Sequence, residues 1–280
     1  MYKITYKKTL SENVTLIKVV APEIAKRAQP GQFVVIRINE KGERIPLTIA
    51  GQNNQEGTID IIFQSVGKTT YALASLKEGD FIQDVLGPLG HPTDIQKLGT
   101  VVCIAGGVGA AEIFPIARAY KNAGNNVITI LGARTKDLLI LQKELTEASN
   151  KFLTITDDGS SGEKGFVSTV LVNLIEKKVQ IDLIYAIGPV PMMKAISDMT
   201  KTANIKTVVS LNPIMVDATG MCGACRVSID GHTKFACVDG PEFDAHKVNW
   251  EELGSRLSLF KDKEKIALEK YQNECQCKPR

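Results

Sequence analysis

Apolar and polar positions change rhythm once along this chain. Up to about residue 97 the apolar residues come in short, β-branched runs at 14–20, 33–38, 47–50 and 58–64, with turn formers at Pro30-Gly31 and across 53–57. Residues 1–8 alternate like one more strand. Many short strands separated by turns predict a small antiparallel β-barrel. Near Leu98 the pattern becomes strand–helix alternation. Apolar runs at 101–105, 127–131, 152–156, 183–187 and 207–211 are separated by helix-like segments at 111–122, 136–148, 168–177 and 191–202. That alternation predicts a parallel sheet with helices on both faces. A compact Gly/Cys segment follows to about Gly240, then a charged tail of helical texture. The expected division is therefore 1–97, 98–211 and 212–280, a multidomain α/β and β chain.

Length and composition fit that picture. With 280 residues, 44% hydrophobic and 23% charged, the chain has material for two cored domains and an appendage. A net charge of +3 is too small to point to nucleic acid or a membrane surface. The longest apolar stretch, 101–111, is too short to span a bilayer and ends at Glu112, and the N-terminus has no signal-like apolar block. A cytoplasmic protein is expected. The six cysteines are unevenly placed: Cys222, Cys225 and Cys237 cluster, Cys275 and Cys277 lie in the tail, and Cys103 sits alone in an apolar run as a buried hydrophobe. Clustering of this kind favours metal or redox chemistry over disulfides.

The strongest chemical signal is Asp217-Ala-Thr-Gly-Met-Cys222-Gly-Ala-Cys225, followed by Cys237. It has the C-x4-C-x2-C…C spacing of a plant-type [2Fe–2S] loop, with Asp217 in the first position. A carboxylate also ligates iron, and the small residues between the ligands let backbone approach a cluster. Structural zinc, the competing reading, favours two C-x2-C-type pairs where only one is present. A second signal, Gly106-Gly107-Val108-Gly109-Ala110-Ala111, joins a strand to a helix, as a loop holding a pyrophosphate on a helix N-terminus does. It lacks the third glycine of the usual dinucleotide fingerprint, so a plain tight turn competes with it. Gly188-Pro189-Val190-Pro191-Met192-Met193 forms a second loop at the same sheet edge, where open α/β sheets bind ligands. Met193 reads better as core. A third signal lies in the barrel: Arg44-Ile45-Pro46-Leu47-Thr48-Ile49, then Val66-Gly67-Lys68-Thr69-Thr70 before a short helix. An arginine, hydroxyls and a Gly-Lys-Thr turn suit a flavin diphosphate and ring. The Gly-Lys-Thr turn lacks the upstream glycine of a P-loop, and His91, His232 and His246 form no constellation with a nucleophile.

These three signals in this order resemble the ferredoxin–NADP reductase superfamily. Within it, the chain is similar to the dihydroorotate dehydrogenase electron-transfer subunits and, more closely, to the small (alpha) subunits of NADH-dependent reduced ferredoxin:NADP oxidoreductases, also described as sulfide dehydrogenase beta subunits. Arg44–Thr48, Thr156-Asp157-Asp158-Gly159-Ser160, Ala186–Val190 and the Asp217…Cys237 set carry the resemblance. It implies FAD on the first domain, NAD(H) on the second with NADP(H) the alternative, and a [2Fe–2S] cluster held by Asp217, Cys222, Cys225 and Cys237. Asp157 and Asp158 would meet the nicotinamide dinucleotide, with Arg134 and Lys136 pulling the other way on a 2′-phosphate. The implied partner is a larger flavoprotein with its own FAD and [4Fe–4S] clusters, which passes electrons to ferredoxin and supports electron bifurcation; nucleic acid and membrane are not expected partners. Two departures stand out. The superfamily's R-x-[YF]-[ST] becomes a motif with Arg44 four residues before Thr48, and Ile187 stands where many relatives have a cysteine. Service to dihydroorotate dehydrogenase, a sulfide or polysulfide reductase, a self-contained reductase and a non-catalytic metal-binding module are the alternative expectations.

Overall fold

The computed structural model describes residues 1–276, with side chains to residue 273; Cys275 and Cys277 fall outside the described side chains. Its first unit is an antiparallel sheet with two short helices. The elements run β1 (Tyr2–Ser11), β2 (Val14–Val20), α1 (Pro22–Ala25), β3 (Phe33–Arg37), β4 (Arg44–Asn53), β5 (Thr58–Gln64), α2 (Lys68–Ser75), β6 (Phe81–Ile82) and β7 (Asp84–Leu89). The strand order is β6-β1-β2-β5-β4-β3-β7. Ile82 on one edge strand and Val85 on the other join the same core as Ile4, Ile17, Val34, Ile49 and Ile61. The sheet therefore curls around one interior, as a barrel does. The strand expected at 47–50 is longer. Its polar ends are held by ladder bonds, Arg44 opposite Arg37 and Asn53 opposite Thr58, which an apolar run does not reveal.

The second unit carries β8 (Thr100–Gly106), α3 (Ala110–Asn122), β9 (Asn126–Ala133), α4 (Gln142–Glu147), β10 (Lys151–Thr156), β11 (Glu163–Lys164), α5 (Val167–Glu176), β12 (Leu183–Ile187), α6 (Val190–Thr202) and β13 (Thr207–Ser210). Its strands pair in parallel in the order β11-β10-β9-β8-β12-β13. The central runs are apolar at every position because helices cover both faces: Val101, Cys103 and Ala105 pack under α3, and Val102 and Ile104 under α5 and α6. The helix expected at 136–148 is interrupted. The backbone turns left-handed at Leu141 so that Leu139 and Ile140 can be buried, which confines α4 to its second half.

The third unit begins with an irregular loop, then β14 (Arg226–Ile229), β15 (His232–Phe235), α7 (Ala236–Asp239), β16 (Glu242–Asp244), α8 (Trp250–Ser258) and α9 (Lys261–Gln276). It is not separate from the second unit. Strand β16 pairs antiparallel with β13 and extends the large sheet to seven strands. Asn249 caps α8 by accepting from the Glu252 N–H at 3.1 Å, and Trp250 and Leu253 join the core beside Ala186, Met193 and Val209. Burying two such side chains contributes about 3–6 kcal/mol to docking this unit. Among the described residues no helix is long and apolar enough to cross a membrane.

Candidate functional site

In the second unit the glycines at the ends of β8 and β12 place two loops side by side: the ideal Cβ of Gly188 would lie 3.1 Å from the Gly106 Cα. These loops, with the carboxyl ends of β9 and β10, form one wall of a cleft of about 1180 Å³; β4, β5 and the start of α2 form the other. That volume exceeds the roughly 300–1,000 Å³ of a single small-ligand pocket, as a site receiving two ligands would. Of the residues expected from sequence, Pro46, Leu47, Thr48, Val66, Thr70, Gly107, Val108, Gly109, Asp157, Gly188, Pro189 and Met192 line it. Met193, by contrast, is wholly buried in the core.

Arg44, Ile49, Gly67, Lys68, Thr69, Ala110 and Asp158 are not among the lining residues, for visible reasons. Arg44 sits exposed at the far end of β4, and the Ile49 side chain points into the barrel core. Thr69 donates to the Glu43 carboxylate, and Ala110, the first residue of α3, is turned into the core. Lys68 is exposed outside the cleft. The Val66 and Gly67 N–H groups both donate to the Thr70 hydroxyl at 3.0 Å. Ser160 donates to Asp158 from its N–H at 2.9 Å and its hydroxyl at 2.6 Å, and these bonds hold that carboxyl below its ordinary value. Arg134 and Asp157 both line the cleft.

The cysteine loop lies behind the barrel wall. Cys225 and Cys237 are buried, and their Sγ atoms are 3.1 Å apart. That separation is far beyond a disulfide bond of about 2.05 Å. It is shorter than the roughly 3.7 Å that two sulfurs span on one tetrahedral metal with bonds of about 2.3 Å, so a shared metal would need the two thiols to part slightly. Burial and the neighbouring Cys225 push the Cys237 thiol well up from its ordinary value. Asp217 and the exposed Cys222 form a second pair: the carboxylate accepts from the Thr219 N–H at 2.9 Å and contacts the Cys222 thiol, interactions that hold it below the usual range. The four residues therefore stand as two pairs. Among the described residues no three His, Cys, Asp or Glu side chains converge on one point, as a single structural zinc requires. Paired donors fit a two-iron cluster, in which each iron takes two protein ligands. Phe33 and Val35 of β3 pack against Cys225 and Cys237, and Phe33 also lines the cleft. One strand thus forms the partition between cleft and cysteines.

Glu112 is the residue that motif reasoning left without a role. It lies in the first turn of α3, lines the cleft and accepts from the Thr48 hydroxyl at 3.3 Å. Its depth in the protein pushes its carboxyl up to about 7, against hydrogen bonds from Ser210 and Thr48 that oppose the shift, while Glu242 adds to it. The signal in the sequence was a lone acid ending the longest apolar run. A carboxyl raised in the folded state binds more protons there than when unfolded, so it stabilises less as pH rises. The penalty is absent below an unfolded value of about 4.5, grows through the window to about 7, and is complete above it. Glu112→Gln is therefore expected to be more stable than wild type at pH 8 by about 1–3 kcal/mol and equal to it at pH 4. Denaturant titration of the cofactor-free chain at both pH values checks this, and an equal difference at the two rejects it.

Three family profiles match in order: an oxidoreductase FAD-binding domain over residues 1–93, an oxidoreductase NAD-binding domain over 103–198, and an iron–sulfur cluster binding domain of dihydroorotate dehydrogenase B over 212–249. The fold and site thus define a flavin- and nicotinamide-binding iron–sulfur oxidoreductase subunit. A Thermotoga maritima homologue of the dihydroorotate dehydrogenase B (NAD(+)) electron transfer subunit is 49% identical over 96% of this chain and 95% of its own. The electron transfer subunit of Desulforamulus reducens is 34% identical over 82% of this chain and 90% of its own. The chain belongs to the family of dihydroorotate dehydrogenase B electron transfer subunits and their homologues. A solved structure of an NADH-dependent reduced ferredoxin-NADP oxidoreductase, described for flavin-based electron bifurcation, matches it with a TM-score of 0.92. The identity is 48%, over 97% of this chain and 98% of that one.

Proposed function

We propose that this chain is the electron-transfer subunit of a bifurcating NADH-dependent reduced ferredoxin:NADP oxidoreductase, exchanging electrons between NAD(H) and a larger flavoprotein partner. One observation carries the reading: the cleft and the paired cysteines share β3 as a common wall, with Phe33 touching both. The likeness to the solved bifurcating enzyme supports it. In this proposal residues 1–97 hold FAD through Pro46, Leu47, Thr48, Val66 and Thr70, with Arg44 and Lys68 reaching the phosphates from outside the cleft. Residues 98–211 hold NAD(H) through Gly107–Ala110, Asp157 and Gly188–Met192. The 212–280 unit holds a [2Fe–2S] cluster on Asp217, Cys222, Cys225 and Cys237.

When bound, FAD supplies the conversion between two-electron hydride traffic and the single electrons a cluster accepts. The chain's own residues do the positioning. The two glycine loops bring backbone close to the nicotinamide dinucleotide, the N-terminus of α3 favours its pyrophosphate, and Phe33 and Val35 keep water from the space between flavin and cluster. The partner proposed is a flavoprotein carrying FAD and [4Fe–4S] clusters, with ferredoxin reached through it in the cytoplasm.

Service to dihydroorotate dehydrogenase is the second reading, favoured by the iron–sulfur family profile. Anaerobic purification with the natural partner separates the two. The bifurcating reading expects about one FAD and two irons on this chain, [4Fe–4S] clusters on the partner, and a lower KM for NADH than for NADPH. Zinc in place of iron, or a partner that oxidises dihydroorotate, would overturn it.

A further inference from the structure

The three units meet at a partly buried set of oxygens. Glu112, on α3, accepts from Thr48 of the barrel at 3.3 Å and is hydrogen-bonded by the Ser210 hydroxyl. Ser210 is paired directly across the sheet with Glu242 of β16. Glu242 in turn accepts from the Thr93 hydroxyl, and both lie immediately behind Gly31, where a Cβ would stand 2.4 Å from the Glu242 Oε1. Gly31 lines the cleft, so only backbone separates it from this second carboxyl. Beyond Glu242 lies the wholly buried Tyr185 hydroxyl, which interacts with the Glu242 carboxylate and the Thr93 hydroxyl. It faces a small polar cavity of about 60 Å³, bounded by Tyr120, Glu242 and the exposed Asp94, Gln96 and Lys206. A polar cavity of that size holds a few waters, each wanting two or more partners.

We propose that Glu112 is the proton-exchange group of the cleft, and that Glu242 and the Tyr185-lined cavity connect it to solvent. The proposal rests on the flavin reading and adds the route of the proton. Hydride brings two electrons and one proton. The electrons leave singly for the cluster, which carries no proton, so one proton per hydride is left in the cleft. With FAD bound, Glu112 Oε2 would take that proton up, the carboxyl O–H forming as the N–H bond that carried the proton breaks. Ser210, Glu242 and the cavity waters then return it to solvent. In the opposite direction of flow each transfer reverses. The groups facing Glu112 suit this task. Thr48 and Ser210 are neutral hydroxyls, and Glu242 and, farther off, Tyr185 are the titratable neighbours. Neither carboxyl forms an ion pair with a lysine or arginine among the described residues. A locked salt bridge would hold Glu112 ionised, whereas burial places its carboxyl near neutrality, where proton exchange is most effective.

Stopped-flow kinetics on the full FAD-loaded chain, wild type and Glu112→Gln, separates the two half-reactions. In Glu112→Gln, oxidation of the reduced flavin by ferricyanide is expected to slow about a hundredfold and lose its solvent deuterium effect. Reduction by NADH, in which the proton travels with the hydride, is expected to change by less than about threefold. Glu112→Asp should recover most of the loss. Glu242→Gln, a more distant change, should slow the same half-reaction about tenfold. A readout independent of turnover is the infrared spectrum of the cofactor-free chain, in which a carboxyl band titrating near neutral pH should vanish in Glu112→Gln. Oxidation at the wild-type rate with an unchanged deuterium effect in flavin-loaded Glu112→Gln, or an unchanged carboxyl titration, overturns the relay. A wild-type chain that binds no FAD is a different result: it overturns the flavin reading, and the relay with it.

Discussion

Cys225→Ser and Cys237→Ser are each expected to remove the iron–sulfur cluster, with iron falling from about two per chain to near zero. Electron delivery from NADH to the partner should drop by more than about a hundredfold, while FAD content and flavin reduction by NADH persist. The reason is position as well as chemistry. These two sulfurs are 3.1 Å apart and buried against Ala218, Ala236 and Phe33, so no solvent ligand can replace a lost one. A serine hydroxyl is a harder donor and loses its proton far less readily than a thiol. Asp217 should behave differently because it is half-exposed and already turned toward the Thr219 N–H. Asp217→Cys is expected to keep the cluster with a shifted potential, and Asp217→Ala to make it labile. Iron analysis, electron paramagnetic resonance of the reduced chain and redox titration distinguish these outcomes. Full iron occupancy in Cys237→Ser would remove the cluster assignment, and an unchanged potential in both Asp217 variants would remove the carboxylate from the ligand set.

The parts of this molecule that periodicity controls were legible from its residues. Strand runs and helix faces bury side chains at fixed spacing, so the barrel, the parallel sheet and its core emerge from local pattern. What stayed hidden depends on contacts between distant segments. Strand β16 has only three residues, and its pairing with β13 comes from Glu242 meeting Ser210 across the sheet. The split of the 136–148 helix is set by a core that wants Leu139 and Ile140 inside. The site divides in the same way. Glycine loops and cysteine spacing are local signals, and most of the expected loop residues line the cleft. Arg44 and Ile49 belong to the right strand, but strand alternation turns one outward at the sheet's end and the other into the barrel. Glu112 carries no motif, since its neighbours Thr48, Ser210 and Glu242 come from three other stretches of chain.

Gly109→Val is expected to lower the stability of the chain by about 2–4 kcal/mol and to raise the KM for NADH at least about tenfold. Gly109 has ordinary helical angles (φ −56°, ψ −18°), so its backbone would accept any residue. Space is what excludes a side chain. A Cβ there would stand 2.6 Å from the Ile187 carbonyl oxygen and 3.1 Å from its carbonyl carbon. Those are backbone atoms at the end of β12, held by parallel pairing to Ala105 of β8, and they cannot rotate away as a flexible side chain would. Relief requires α3 to lift from the sheet. That movement would carry the Gly106–Gly109 loop away from the Gly188 loop and displace the N–H groups at the start of α3. The barrel and the cysteine pair do not share this contact, so FAD and iron content should hold. Gly109→Ala should show a smaller loss of the same kind, because its methyl meets the same carbonyl with less bulk behind it. Thermal unfolding and NADH-dependent flavin reduction, measured on the same preparations, check both variants. A Gly109→Val chain with wild-type melting temperature and KM would mean that the two loops do not form one nicotinamide site, whereas a loss of FAD together with NADH affinity would place the flavin against the Gly109 loop itself.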